Sequence, residues 1–313
     1  MQILTDGVDR VPSGVGTALT VGAYDGIHLG HREILSNVTG LAAERSLASG
    51  VVTFDKHPAA VVRPESAPLL LTNQQQRVEL FHDIGIDYLY LLQFNKERAE
   101  TSDRDFVADV LVGRMNAKVI VVGSNFHFGK ARSGSVDTLR QFGDEMGFEV
   151  LGMELLAPAA ATEPVSSTAI RTALANADIE AANAMLGREY EVRGKVIAGD
   201  KRARIIGFPT ANIAYQAGTA WPAKGVYSGM VTLADGRRVG AAINIGTRPT
   251  FHQDAEQSLL EAHLLDFDED LYGQELRVEF VTFIRNEQRF SGIDEISAQL
   301  AKDVDAARNT LTR

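Results

Sequence analysis

ALTVGAYDGIHLGH, residues 18–31, decides how the first half of the chain folds. Its opening, ALTVG (18–22), is a short apolar run of the kind that lies buried in a sheet. From His31 to Leu47, Ile34, Leu35, Val38 and Leu41 recur at helical spacing, so a helix follows the strand almost at once. Between them stand Gly22, Gly26 and Gly30, which let the backbone turn sharply and approach a ligand closely. A helix start presents unpaired N–H groups and partial positive charge, which suits a phosphate. His28 and His31 are three apart and can point to one side of that start. Imidazoles there can donate hydrogen bonds to phosphoryl oxygens as charge shifts during a displacement. Surface histidines in a capping turn are the plain alternative. A metal reading lacks a recognisable third ligand.

The same alternation continues outward from this stretch. GVVTF (50–54), DYLYLL (87–92), KVIVVG (118–123) and FEVLGM (148–153) read as strands. Gln74–Asp83, Asp103–Met115 and Val136–Met146 read as helices between them, and 58–68 as an irregular loop. Strand–helix alternation predicts a parallel sheet with right-handed crossovers. Ser166–Leu186 reads as one helical stretch with a Ser/Thr cap, and a domain boundary is expected there: residues 1–186, then 187–313.

Beyond it the pattern changes. Segments 190–199, 225–233, 237–246, 259–267 and 275–283 carry alternating apolar and β-branched residues punctuated by glycine, proline or Asp235-Gly236. No helix is expected until Ile293–Leu311, where Ile293, Ile296, Leu300 and Val304 form a stripe suited to packing on a sheet. An antiparallel barrel or sandwich with a terminal helix fits.

Composition narrows the function classes. The 313 residues are long enough for about two domains. The chain has no cysteine, which excludes disulfides, thiolate zinc sites and a cysteine nucleophile. The start, MQILTDGVDRVPSG, lacks a basic segment followed by an apolar run, and no stretch is long and apolar enough to span a bilayer. A soluble cytoplasmic protein without a membrane partner is the expectation. The net charge is −10, and neither half is basic: 15 Lys+Arg face 23 Asp+Glu up to residue 186, and 16 face 18 after it. Nucleic acid is therefore not an expected partner, and any anionic ligand must be held by local geometry.

Further candidates follow in order. VSSTAIR (165–171) offers the Ser167 and Thr168 hydroxyls at a helix start, with Arg171 on the first turn to pair with a phosphate, or else a simple cap. GVGTAL (14–19) fails the dinucleotide fingerprint and GSNFHFGKA (123–131) fails the P-loop spacing. In GFPTANI (207–213), Thr210 and Asn212 fall on one side by alternation. Their oxygens are hard ligands suited to Mg²⁺ bridged by nucleotide phosphates, although a loop cap would look similar. Glu261 shares a strand face with His263; it is either a general base or a salt-bridged edge carboxylate. Asp266, Asp268, Glu269 and Asp270 read as a solvated turn.

GAYDGIHLGH and SSTAIR resemble the signature pair of the HxGH nucleotidyltransferase superfamily. With VTFDKHP (52–58), LLTNQQQR (70–77) and VVGSNFHFGKARSG (121–134), the set is similar to the adenylyltransferase half of bacterial bifunctional riboflavin kinase/FAD synthetases. GD-x-R-x-R, GFPTAN, KGVYSG (224–229), NIGTRPTF (244–251) and EAHLLDF-x-x-DLYG look like the riboflavin kinase half. The resemblance implies a Rossmann-like HxGH domain with a parallel sheet, then a six-stranded antiparallel barrel with a terminal helix. It implies phosphorylation of riboflavin to FMN by the second module and adenylylation of FMN to FAD by the first, both with Mg-ATP and with flavin as substrate and product. It implies His28, His31 and Glu261 as catalytic residues. Gly22, Asp25, Gly26, Gly30, Asn125, Phe128, Ser167, Thr168, Arg171, Gly207, Thr210 and Asn212 would bind substrate, with Thr210 and Asn212 also on the metal. Phe126 and Phe128 offer either a stacking surface for the flavin ring or core packing. The loop around Gly199–Arg204 would cover the phosphates. Ala23, Tyr24, Lys56 and Ala203 depart from the residues more usual at those places. The oligomeric state is left open.

Overall fold

A computed structural model describes the chain except residues 8, 155–164, 200–205, 215, 249–256 and 313, with only the backbone of 247, 248 and 257–259. Contacts divide the chain into two units, Met1–Ser167 and Thr168–Arg313.

The first unit is built on one parallel sheet. Its strands are β1 (Gln2–Thr5), β2 (Thr17–Val21), β3 (Ala48–Phe54), β4 (Tyr88–Leu92), β5 (Ala117–Gly123) and β6 (Glu149–Met153), in spatial order β1-β4-β3-β2-β5-β6. Every residue of β2 is buried, and so are the middle five of β3. Such continuous apolar runs are what a sheet covered on both faces requires. Leu19, Val52, Ile120 and Leu139 pack in one core cluster, while Ala18, Val38 and Val119 pack in another. The order reverses at β2: β3 and β4 lie to one side of it, β5 and β6 to the other. In an open α/β sheet, the crevice outside the strand ends at such a reversal is where ligands bind. The loops leaving β2 and β5 both open there.

Details of the sequence reading shift. β1 was not expected from the pattern, since only Leu4 of its four residues is buried. The stretch 58–68 contains two helical turns, Ala59–Val62 and a 3₁₀ turn at Pro64–Ser66. The expected helix over 103–115 widens after Phe106 into π turns, with Met115 N donating to Val110 O.

The expected helix over 166–186 is two, Ser167–Ala175 and Ile179–Leu186. Ala177 takes a positive φ of 61° between them, and Asp178 caps the second. Both group with the barrel, so the division falls ahead of them, at 167/168. The physical reason is bonding: Leu174 O accepts from Ala223 N, and Asn183 Nδ2 donates to Phe280 O.

The second unit closes β7 (Tyr190–Ile197), β8 (Ala211–Ile213), β9 (Gly225–Thr232), β10 (Arg238–Arg248), β11 (Gln257–Leu264) and β12 (Glu275–Arg285) into a barrel, in the order β10-β11-β8-β7-β12-β9. Closure removes the sheet's unpaired edges. Alternation sends Tyr227, Ile243, Leu260, Val278 and Phe280 inside, all fully buried. Ala242 and Asn244, one residue out of phase with Ile243, face outward.

The terminal helix, Ile293–Leu311, packs against β9, β10 and β12. Its apolar stripe does not lie flat on the sheet as expected. Asp303 and Ala307 are its buried residues, while Ile296, Leu300 and Val304 are half-buried along an open cleft and Ile293 is 67% exposed. Asp303 anchors the helix. Its carboxylate accepts from Arg285 Nε at 2.8 Å and Nη2 at 2.6 Å, and from Gln299 Nε2 at 2.9 Å.

Trp221 is the chain's single tryptophan and belongs to the barrel unit, so its fluorescence reports that unit's unfolding. Ile243→Ala removes a fully buried interior side chain. We expect its urea midpoint, followed at Trp221, to fall by an amount worth about 2–5 kcal/mol.

Candidate functional sites

In the first unit the chain leaves β2 through a strained turn. Tyr24 and Ile27 have φ of 50° and 39°, and Gly26 one of 86°. Non-glycine residues adopt such values only when their surroundings enforce them. Tyr24 is buried, and its hydroxyl shares a 2.6 Å hydrogen bond with Thr20 Oγ1. A Cβ on Gly22 would stand 2.9 Å from the Tyr24 ring, so that position admits no side chain.

Asp25 is buried and braces the turn from behind. Its Oδ1 accepts from Leu71 N at 2.9 Å and Thr72 N at 3.1 Å, while Gly26 N donates to Thr72 Oγ1 at 3.0 Å. Its backbone carbonyl accepts the Ser167 hydroxyl at 2.8 Å. Asp25 and Ser167 thus meet as parts of the framework that shapes the turn.

The turn delivers His28 as the N-cap of helix Leu29–Glu44. His28 Nδ1 accepts from His31 N at 3.4 Å, which directs the ring's proton to Nε2 in the neutral form. The two imidazoles stack, with centroids 3.7 Å apart and planes 18° from parallel. Tyr24 meets His31 edge-on at 4.9 Å. Burial, and after it the neighbouring His28, hold His31 well below the ordinary histidine range. Among the described residues its Nδ1 is buried with no hydrogen-bond partner. With its imidazole held neutral, His31 at this helix N-terminus can donate a hydrogen bond to an anion without adding a full charge. A Cβ at Gly30 would touch the His28 ring at 3.4 Å, an ordinary contact distance.

β5 carries the second loop of this crevice. Asn125 is exposed at its tip. Phe128 is buried, with Phe106 at 6.2 Å and Phe126 stacked at 5.5 Å. Phe128 is therefore a core side chain, and Phe126, half-exposed, is the ring with a free margin. Thr168 is exposed and Arg171 half-buried, and both belong to the second unit.

Sequence reasoning passed over Arg77. This buried guanidinium donates from Nη1 to Ala23 O at 3.1 Å and from Nη2 to Phe54 O at 3.0 Å. Its signal was present in LLTNQQQR: a capping box between Asn73 and Gln76 fixes a helix start and so aims the next residue.

In the barrel unit, strand register builds the second site. Glu261 of β11 lies directly opposite Asn212 of β8 on one side and Asn244 of β10 on the other. Directly opposed residues share a face, so three polar side chains form a row across adjacent strands. Thr210 precedes β8 by one residue and lines the same cleft as that row. His263, two residues along from Glu261, is fixed by a 2.8 Å hydrogen bond between Nδ1 and Pro209 O. A Cβ at Gly199 would collide with the Asn212 amide, so the backbone there closes tightly over it. Gly207 is exposed with a φ of 88°. Residues 200–204, the rest of the expected phosphate-covering loop, lie outside the described residues.

The cleft measures about 1140 Å³. Asn212, Glu261 and Asn244 line it, as does the half-buried stripe of Ile296, Leu300 and Val304. Asn244 was not singled out by the sequence reading, although its alternation with the interior Ile243 and Ile245 would have placed it outward. Of the acidic turn, Asp266 pairs with Arg308 and Glu269 with Arg237. Among the described residues no cluster of acidic residues or histidines has the arrangement of a metal site.

Comparison with known proteins matches both halves. The FAD synthetase family model fits residues 12–169 and the riboflavin kinase model fits residues 186–311. The bifunctional riboflavin kinase/FMN adenylyltransferase of Escherichia coli K12 is 36% identical over 293 residues, covering 94% of this chain and 92% of that protein. The Bacillus subtilis protein of the same name is 34% identical, covering 93% and 91%. A solved Streptococcus pneumoniae structure, described as a macrolide-efflux protein, superposes with a TM-score of 0.87 at 29% identity, covering 98% of this chain and 99% of that one. In the present chain no helix among the described residues is long and apolar enough to cross a membrane. Two family models in tandem, and relatives matched over nearly the full length, place the chain in the bifunctional riboflavin kinase/FMN adenylyltransferase family.

Proposed function

We propose that the chain extends riboflavin in two steps at two separate centres, with the barrel making FMN and the parallel-sheet unit converting FMN to FAD. The observation that supports this division is the partition of the chemistry: the stacked histidines fall wholly in the first unit and the Asn212–Glu261–Asn244 row wholly in the second.

In the kinase step, Glu261 accepts the proton of the riboflavin 5′-hydroxyl as that oxygen bonds to the γ-phosphorus of ATP, and the bond to ADP breaks. The apolar stripe in the same cleft offers a surface for the isoalloxazine ring. Thr210 and Asn212 would hold Mg²⁺: both present hard oxygen donors, and the backbone at Gly199 closes against the Asn212 amide. The ion would neutralise phosphate charge there.

In the adenylylation step, a phosphate oxygen of FMN bonds to the α-phosphorus of a second ATP and pyrophosphate leaves. His28 and His31 donate hydrogen bonds to phosphate oxygens as negative charge shifts toward the leaving group. The turn at Gly22, Gly26 and Gly30 brings backbone close to the nucleotide. Asn125 supplies a further polar contact, and Asp25 and Ser167 hold the turn in shape. Phe126 and Phe128 together form an aromatic bank of which Phe126 presents the accessible edge.

Incubating the purified chain with riboflavin, ATP and Mg²⁺ tests the reading, with flavins separated over time. FMN should rise first and FAD follow; unmodified riboflavin from folded protein would defeat it. His31→Ala should abolish FMN adenylylation and spare riboflavin phosphorylation, whereas Glu261→Gln should do the reverse, each loss being at least about 100-fold. Loss of both reactions from either change in a folded protein contradicts two centres.

The lowered His31 pKa has a pH consequence. The unfolded chain takes up that proton near the ordinary value of 6.5, while the folded chain resists it until lower pH. His31 therefore contributes stability that is present above about pH 6.5 and lost as pH falls toward its folded value. Urea unfolding of the parent and of His31→Gln should show the parent losing its relative stability as pH drops from 7.5 to about 5.5. A pH-independent difference would show that His31 titrates normally.

A further inference from the structure

We propose that Arg77 is a positioning residue for adenylyl transfer, acting through the backbone it holds and not on the substrate itself. The inference rests on reading the histidine turn as the adenylylation centre.

Parallel strands β2 and β3 run side by side until Gly22 N donates to Val52 O at 3.1 Å. Beyond that bond the chains separate. Thr53 Oγ1 donates to Ala23 O at 3.3 Å, and Arg77 adds donors to that carbonyl, to the same hydroxyl and to the Phe54 and Asp55 carbonyls. Its Nη1 reaches Ala23 O at 3.1 Å and Thr53 Oγ1 at 3.3 Å, while Nη2 reaches Phe54 O at 3.0 Å and Asp55 O at 3.4 Å. One rigid planar fork thus clamps the exits of two strands.

A buried cation is costly unless its hydrogen bonds are well made. These four end on neutral oxygens, the Asp25 and Asp55 carboxylates favour the cation by their charge, and an apolar side chain would leave the carbonyls short of a donor. The fork does what no apolar side chain can: it fixes Ala23 relative to β3, and Ala23 opens the strained turn that carries His28 and His31. Ala23, Asp25 and Arg77 also line a cavity of about 10 Å³, room for about one water. Asp25 completes the brace from the other side by holding the Leu71 and Thr72 amides. A lysine would keep the charge but lose the planar fork.

The test uses the full chain with Arg77→Lys, Arg77→Ala and His31→Ala, measuring FAD formation from FMN and Mg-ATP, and riboflavin phosphorylation in the same samples. A displacement of reacting groups by an ångström costs on the order of 100-fold, so kcat for adenylylation should fall by about that factor in Arg77→Ala and by at least about tenfold in Arg77→Lys. The KM for ATP should change by less than about threefold, because the loss is expected in the transition state. Riboflavin phosphorylation should stay within about twofold of the parent, reporting intact protein. Millimolar ethylguanidinium should restore adenylylation in Arg77→Ala and not in His31→Ala. Parental adenylylation by Arg77→Lys overturns the proposal. So does a folded Arg77→Ala that ethylguanidinium leaves inactive, or a loss confined to KM. Where Arg77→Ala does not fold, Arg77→Lys decides alone. If His31→Ala still adenylylates FMN, the reading of the centre fails; if it does not while Arg77→Lys stays active, only the role of Arg77 fails.

Discussion

The turn that carries His28 into its helix caps one of that helix's first N–H groups, His31 N, with the His28 ring. Its shape comes from side chains that reach in from elsewhere. Here the work falls to two buried charges of opposite sign, Asp25 collecting backbone amides and Arg77 collecting backbone carbonyls. Arg77 satisfies carbonyls just beyond β2 and at the end of β3, and Asp25 satisfies amides of the bend that leads into the next helix. The positive φ values at Tyr24 and Ile27 persist because this framework over-determines them. The stacked imidazoles then inherit a fixed position, with His28 doing double duty as helix cap and candidate donor.

The barrel solves positioning differently. Closure fixes the register, and register alone brings Asn212, Glu261 and Asn244 into line across three strands. No strained turn is needed for that row, since opposed residues in a sheet share a face. Barrel residues such as Val196, Val226 and Leu264 line the cleft together with the row. The terminal helix adds Ile296, Leu300 and Val304, docked through the buried Asp303–Arg285 pair that lines the same cleft. An ion pair of this kind specifies where the helix sits more than it strengthens the fold, because desolvation consumes much of its Coulomb energy.

This also explains which features were legible in the sequence. Strands of five or more apolar residues declared themselves, because burial on both faces writes a continuous run. β1 and β8, of four and three residues, are too short for any period to show. The helix over 166–186 read as one because Ala177 carries no breaker signature, although its backbone turns left-handed. The terminal stripe was visible as a period, but a period cannot say whether the facing surface is a sheet or an open cleft. Candidate residues behaved likewise. His28, His31, Asn212 and Glu261 were legible from local spacing. Arg77 and Asn244 were not, since their importance lies in what stands opposite them in space. Phe128 shows the converse: an aromatic in a motif loop whose ring the fold turns into the core.

The net charge of −10 gives these two solutions a common cause. A chain with a negative overall field gains nothing from long-range attraction of a triphosphate and must recognise it at contact distance. On the proposed reading the first unit would do so with a helix start and the stacked histidines, in surroundings where burial strengthens a hydrogen bond. The second would do so with oxygens aligned by strand register, a donor set that would serve a phosphate through a cation. Rigid backbone is the requirement shared by both, because contact-range forces fall away within an ångström or two of misplacement. The buried braces and the closed barrel are therefore part of the recognition itself, and the two halves differ in which of them provides the rigidity.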